Sequence, residues 1–198
     1  MTPRTPTGAA VLKPSVTRAI TQAVLDEWSE QGYGRLSMEA VAKRAGVGKS
    51  ALYRRWPSKQ EMAMSVISEL MVAAAAAPDT GSLRGDLRAT LGTLMEWLTH
   101  PHFSRILPDL VAESARNSEL ARVSEAMIGA PRRERGRVVF ERAIERGEMP
   151  ADIDLELVLD LVAAPIYWRL TVRGVESGPG YLDGLTDLLM RTLSGSRG

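Results

Sequence analysis

Apolar residues recur every three or four positions along almost the whole chain, and nowhere do they alternate with polar ones for the length of a strand. That period commits the chain to an all-α fold, with a core built from helix faces. The punctuation marks where the helices end. Ser15, after Pro14, opens a first helix with Val16, Ile20, Ala23, Val24 and Trp28 on one face, and Gly32 stops it. Ser37 caps a short second helix bearing Met38, Val41, Ala42 and Ala45, and Gly46 breaks it. A third runs from about Lys49 to Trp56, before Pro57. Ser58 then opens a fourth through a capping box with Glu61. Beyond the loop "APDTGS", helices are predicted over 83–99, 102–116 with a bend at Pro108, 118–146 with a break or kink at "IGAPR", 155–173, and from Tyr181 onward.

The chain has 198 residues, 44% of them hydrophobic and 25% charged, which suits one globular domain or a small domain joined to a larger one. Without cysteine there is no disulfide framework and no thiolate metal site. The longest apolar run, Leu70 to Ala77, ends at Pro78 and is too short for a membrane span. The opening "MTPRTPTGAAVLKPS" lacks the apolar stretch of a secretory signal, so residues 1–14 are expected to form a disordered basic arm and the protein to be cytoplasmic. Charge is unevenly distributed. Residues 1–60 carry ten Lys or Arg against four acids, while the remainder is acidic by five. A basic first third on an acidic body suits a partner that is a polyanion.

The stretch "AGVGKSALYRRWPSK", residues 45–59, admits two phosphate-binding readings. A nucleotide-binding loop needs G-x-x-x-x-G-K-[ST] after a buried strand. Gly48, Lys49 and Ser50 fit its end, but Lys43 stands where its first glycine belongs, and a helical pattern precedes it. A helix-turn-helix needs a small residue on the first helix, a residue tolerating positive φ at the turn, and an apolar anchor on the second helix. Ala42, Gly46 and Leu52 supply these in register. The second helix then presents Lys49, Ser50, Ala51, Tyr53, Arg54 and Arg55, a mixture suited to phosphates and base edges in a major groove.

The segment "GYGRLSMEAVAKRAGVGKSALYRRWPSKQEM" resembles the DNA-binding domain of tetracycline-repressor-type (TetR) transcriptional regulators, over roughly residues 15–65. That family commonly has Ser or Thr where Gly48 stands, Gly at Ser50, Thr at Ala51 and Phe at Trp56. The resemblance implies a three-helix head over residues 15–60 and a helical ligand-binding and dimerisation domain over 61–198. It implies that Ser37 and nearby amides bind a backbone phosphate, that Gly48, Lys49, Ser50 and Ala51 meet the groove, and that Tyr53 presses on the backbone. Lys59 would grip a further phosphate at the start of the fourth helix. Trp56 is expected to plug the head's core. Arg4 and Lys13 could reach a groove or remain solvated.

The resemblance also implies a homodimer and a double-stranded DNA operator, with release by a small-molecule effector. The helix beginning at Leu155 is apolar nearly all round, as a helix buried on two sides would be. Interface positions are expected at Leu155, Leu159, Val162, Ile166, Leu182, Leu185 and Leu189. Candidate pocket residues are Trp97, Phe103, Leu107, Met127, Tyr167 and Trp168. His100 and His102, separated by one proline, lack further ligands and suit capping better than metal. "PRRERGR", residues 131–137, reads as a solvated helix face with local ion pairs. No catalytic constellation stands out, so no enzyme activity, cofactor or metal is expected. The rivals are a small nucleotide hydrolase and a helical dimer without specific DNA binding.

Overall fold

The computed structural model describes residues 14–73 and 77–194. The arm with Arg4 and Lys13, and the end of the C-terminal tail, lie outside the described residues. Every regular element among those described is helical. The chain forms two compact units, divided between Val66 and Ile67.

The first unit contains α1 (Pro14–Gln31), α2 (Met38–Ala45), α3 (Lys49–Arg55) and the first turns of α4 (Lys59–Ala73). Its core takes Ile20, Val24, Trp28, Leu36, Val41, Leu52 and Trp56, all buried. Each junction has a local cause. Ser37 is extended and its Oγ accepts the Ala40 N–H at 3.1 Å, capping α2. Gly46 ends α2 in the left-handed region, at φ 66°. The Val47 N–H then reaches the Ala42 carbonyl and the Gly46 N–H that of Lys43, closing the C-terminus of α2. Ser58 accepts the Glu61 N–H at 3.1 Å, the forward half of a capping box, and its hydroxyl donates to the Glu61 carboxylate at 3.3 Å.

The second unit contains the rest of α4, α5 (Leu83–Thr99), α6 (Phe103–Ser114), α7 (Ser118–Ser124), α8 (Ala130–Glu145), α9 (Leu155–Tyr167) and α10 (Tyr181–Leu193). Helix α5 is its axis, packing against α6, α8, α9 and α10. Leu83, Leu87 and Leu91 meet Phe140, Val158, Val162, Ile166, Leu185 and Leu189 in one core. Asp86 is wholly buried there, yet satisfied: it accepts from the Thr80 N–H and hydroxyl at 2.7 and 2.8 Å, and from Arg146 at 3.2 Å. Gly136 allows α8 to approach α9, because a Cβ there would stand 2.6 Å from the Leu159 methyl.

One proline-linked expectation is refined. The break foreseen at "IGAPR" is a π turn, Glu125–Gly129, that leads from α7 into α8 without interrupting the helical path. Pro131 offers no N–H and its ring would collide with the Met127 carbonyl, so the helix widens by one residue there. A second π turn, Trp168–Val172, follows α9 beyond Pro165 and ends where the Arg173 N–H meets the Trp168 carbonyl. Pro108 lies inside α6, leaving the Ser104 carbonyl without its usual donor.

Candidate nucleic-acid interface

Leu52 is fully buried and fixes the rotation of α3. With that face held inward, Lys49, Ser50, Tyr53 and Arg54 fall on the outer face, at positions one helical turn apart. All four are exposed and Tyr53 keeps half its surface in solvent, an unusual state for an aromatic unless a partner covers it. Gly48 is exposed at the N-cap and Ala51 is partly buried beside this face. Arg54 has no hydrogen bond or ion pair among the described residues.

The remaining expected contacts are held differently. Lys49 Nζ lies 2.6 Å from Glu39, which holds that carboxyl below its ordinary range through the hydrogen bond and the charge. Arg55 turns back: it donates to the Thr17 hydroxyl at 3.3 Å and lies 4.4 Å over the Trp56 ring. Arg55 is therefore engaged with α1 and the buried Trp56, which plugs the core as expected. Lys59 donates to the Tyr33 carbonyl at 2.9 Å and sits 4.4 Å over the Tyr33 ring. It also stands 3.5 Å from the Gly34 carbonyl, so two of its three donors fix the α1–α2 turn. Arg44 is drawn into a cluster with Asp26, Glu27 and Glu30 that raises its pKa, chiefly through the hydrogen bond to Glu30. "GVGKS" follows α2 and enters α3, with no strand among the described residues, so the geometry of a nucleotide-binding loop is absent there.

In the second unit a cavity of about 590 Å³ opens among α5, α6, α8 and α9. Trp97, Leu107 and Tyr167 line it, together with Leu98 and Phe140. Phe103 does not; it is buried and packs on Trp97 with ring centroids 4.4 Å apart. Met127 is partly buried outside the lining. Trp168 is 59% exposed. It follows Tyr167 on a helix, and the turn of about 100° per residue sends one ring into the cavity and the other to the surface. Arg132, Thr90 and Thr93 also line the cavity, though no apolar period marks them.

The seven residues expected between subunits lie within or against this chain's own core. Val162, Ile166, Leu185 and Leu189 belong to the chain's own buried core, and Leu155, Leu159 and Leu182 pack against it. Periodicity finds an apolar face, and α9 has two. The outward one carries Leu157, 64% exposed, then Leu161, Ala164, Trp168 and Val172 at intervals of three or four, with Leu188 exposed on α10. His100 Nδ1 accepts the His102 N–H at 3.2 Å, and burial followed by the charge of His102 lowers the His100 pKa. No group of three potential metal ligands occurs among the described residues. Arg133 and Arg137 bridge from α8 to Glu156 on α9, and Arg133 also reaches Asp160 at 2.8 Å. "PRRERGR" thus binds two helices together, beyond the local pairing foreseen.

A short helix anchored by a buried leucine, entered through a glycine turn and showing cations and a tyrosine outward, defines a helix-turn-helix DNA-binding protein. The larger helical unit that follows gives it the two-part plan of a transcriptional regulator. The chain belongs to the tetracycline-repressor family: the model of the tetR family of bacterial regulatory proteins matches residues 20–66, and that of the tetracyclin repressor-like C-terminal domain matches residues 77–189. It is 28% identical to the HTH-type transcriptional regulator YdeS of Bacillus subtilis, across 90% of this chain and 88% of that one. It is 30% identical to the DNA-binding transcriptional repressor TetR of Mycobacteroides abscessus, across 79% and 82% respectively. The solved structure of the TetR family regulator SCO0332 superposes with a TM-score of 0.72 at 27% identity, covering 90% of this chain and 98% of that one. Regulators of this family bind DNA, are generally non-enzymatic and typically respond to a ligand.

Proposed function

We propose that this chain is a homodimeric repressor that grips a palindromic operator through α3 and releases it when a small molecule fills the cavity of the second unit. The outer face of α3 carries this reading: Lys49, Ser50, Tyr53 and Arg54 stand exposed on a helix whose other side is fixed by Leu52. Gly48, Lys49, Ser50 and Ala51 meet base edges, and Tyr53 and Arg54 meet the sugar–phosphate backbone. Ser37 keeps its hydroxyl hydrogen for a phosphate while its oxygen caps α2. Lys59 adds its remaining hydrogen. Arg55 acts through the core, holding Trp56 in place, and positions α3 from behind.

One short recognition helix discriminates weakly, and two-fold symmetry doubles its reading. The stripe of Leu157, Leu161, Ala164, Trp168 and Val172 supports the second copy, because a monomer would leave it in water. Helix α4 runs from the first unit into the second and is the covalent path by which an occupied cavity alters the head. A differential affinity of a few kcal/mol for the two conformers is enough to change operator occupancy.

Fluorescence anisotropy of a labelled duplex across a salt series tests the face. Lys49→Ala and Arg54→Ala should each lower the salt slope by about one, with affinity falling roughly tenfold. Wild-type slopes in both variants would remove α3 from the interface.

A further inference from the structure

We propose that Arg132 is the anion anchor of the cavity in the second unit, and that the effector class is therefore an anionic amphiphile, with a carboxylate, sulfonate or phosphate at one end of an apolar body. This rests on the reading of that cavity as the effector site.

Walls of Leu94, Trp97, Leu98, Leu107, Val139 and Phe140 give the cavity an apolar interior. Four charged residues reach its lining, and three are engaged. Arg133 pairs with Asp160 at 2.8 Å and with Glu156, so it and Asp160 neutralise one another. Arg135 has an interaction of its own. Arg132 has no hydrogen bond or ion pair among the described residues. Its guanidinium is pulled below its ordinary pKa by burial, with no carboxylate offsetting the loss. The lining threonines cannot serve an anion as donors, because Thr90 and Thr93 give their hydroxyl hydrogens to the Asp86 and Ala89 carbonyls at 2.8 and 3.2 Å.

The asymmetry has a physical consequence. A half-buried cation without a partner is costly, and guanidinium stays charged at any physiological pH. Its planar fork fits two oxygens of one oxyanion. An anion entering the cavity therefore gains a charge-assisted pair with no carboxylate to displace. A cationic ligand meets Arg132 unfavourably, and a neutral one leaves it uncompensated. Sequence places Arg132 beside Arg133, and one helical step separates a cavity-facing cation from a bridging one.

Two dyes of matched ring structure test the assignment: anilinonaphthalene sulfonate, which is anionic, and N-phenylnaphthylamine, which lacks the sulfonate. Both brighten when buried, so each is titrated into the full chain and its variants with fluorescence as readout. Arg132→Met should weaken the sulfonate by about tenfold to a hundredfold, the worth of a charge-assisted pair, and leave the neutral dye within about twofold. Arg132→Lys, which keeps the charge, should lose much less, and Arg132→Gln, which removes it, replaces the methionine variant if that one is unstable. Equal change of both dyes, or of neither, overturns the anion anchor. Leu107→Trp, which fills the cavity, separates the two layers of the claim. If it abolishes both dyes while Arg132→Met does not discriminate, the cavity stands and the anion anchor falls. If it leaves both unaffected, the dyes bind elsewhere and the cavity falls with its anchor.

Discussion

The two units expose opposite kinds of surface. Among the described residues of the first, Tyr53 is the one large apolar side chain left largely exposed, on a cationic helix face. The second leaves an apolar stripe and an apolar cavity open while its surface charges are largely paired across helices, as in Arg84–Asp187, Arg88–Asp183 and Arg133–Asp160. A surface of charges paired across helices has little attraction for a polyanion, and a helix face rich in exposed cations has little for a lipophilic ligand. The difference supports the proposed division of partners: DNA for the first unit, and a second copy and a small molecule for the second.

That contrast can be broken at graded depths. Leu52→Ala should cost about 2–5 kcal/mol by opening a cavity beneath α3, with DNA binding lost, as urea denaturation and anisotropy would show. A loss below about 1 kcal/mol would mean that Leu52 does not anchor the recognition helix. Trp168→Asp, on an exposed position, should leave helical content intact and raise the dimer dissociation constant roughly thirtyfold or more, read by sedimentation. An unchanged dimer would move the interface off the outward face of α9. Lys59→Ala should weaken binding to every DNA sequence and flatten the salt dependence by about one. Some stability should go with it, because Tyr33 and Gly34 lose their donor. A wild-type salt slope would leave Lys59 a purely structural role. The smallest effect concerns Glu39, whose pair with Lys49 must be given up when Lys49 meets DNA in the proposed complex. Glu39→Gln should tighten DNA binding roughly two- to fivefold at low salt, and the gain should fade as salt rises.

Legibility followed the range of the interactions. The head is written locally: Ser37, Ala42, Gly46, Leu52 and Ser58 each act within a few residues, so caps, turn and anchor follow from spacing alone. Arg55 and Lys59 escaped such reading because their partners, Thr17 and Tyr33, lie 38 and 26 residues away. In the body, helix positions were readable but their rotations were not. Helix α9 is apolar on two sides, and only packing against α5 and α8 decides that Val162 and Ile166 turn inward while Leu157 and Leu161 turn outward. Arg132 was hidden for the same reason, as one cation in a charged run. The signal that could have found it is Pro131: a proline inside a helical pattern announces a local change of winding, and hence of facing.

The most direct test of the central claim is selection of bound fragments from a random DNA pool by the full-length chain, repeated with Lys49→Ala and Trp168→Asp. The account predicts that the wild-type chain recovers a two-fold symmetric sequence. The Lys49 variant should recover it with relaxed preference in each half, and the Trp168 variant should lose it at the same protein concentration. Recovery of random or asymmetric DNA by the wild-type chain would contradict a dimeric helix-turn-helix repressor reading its operator through α3.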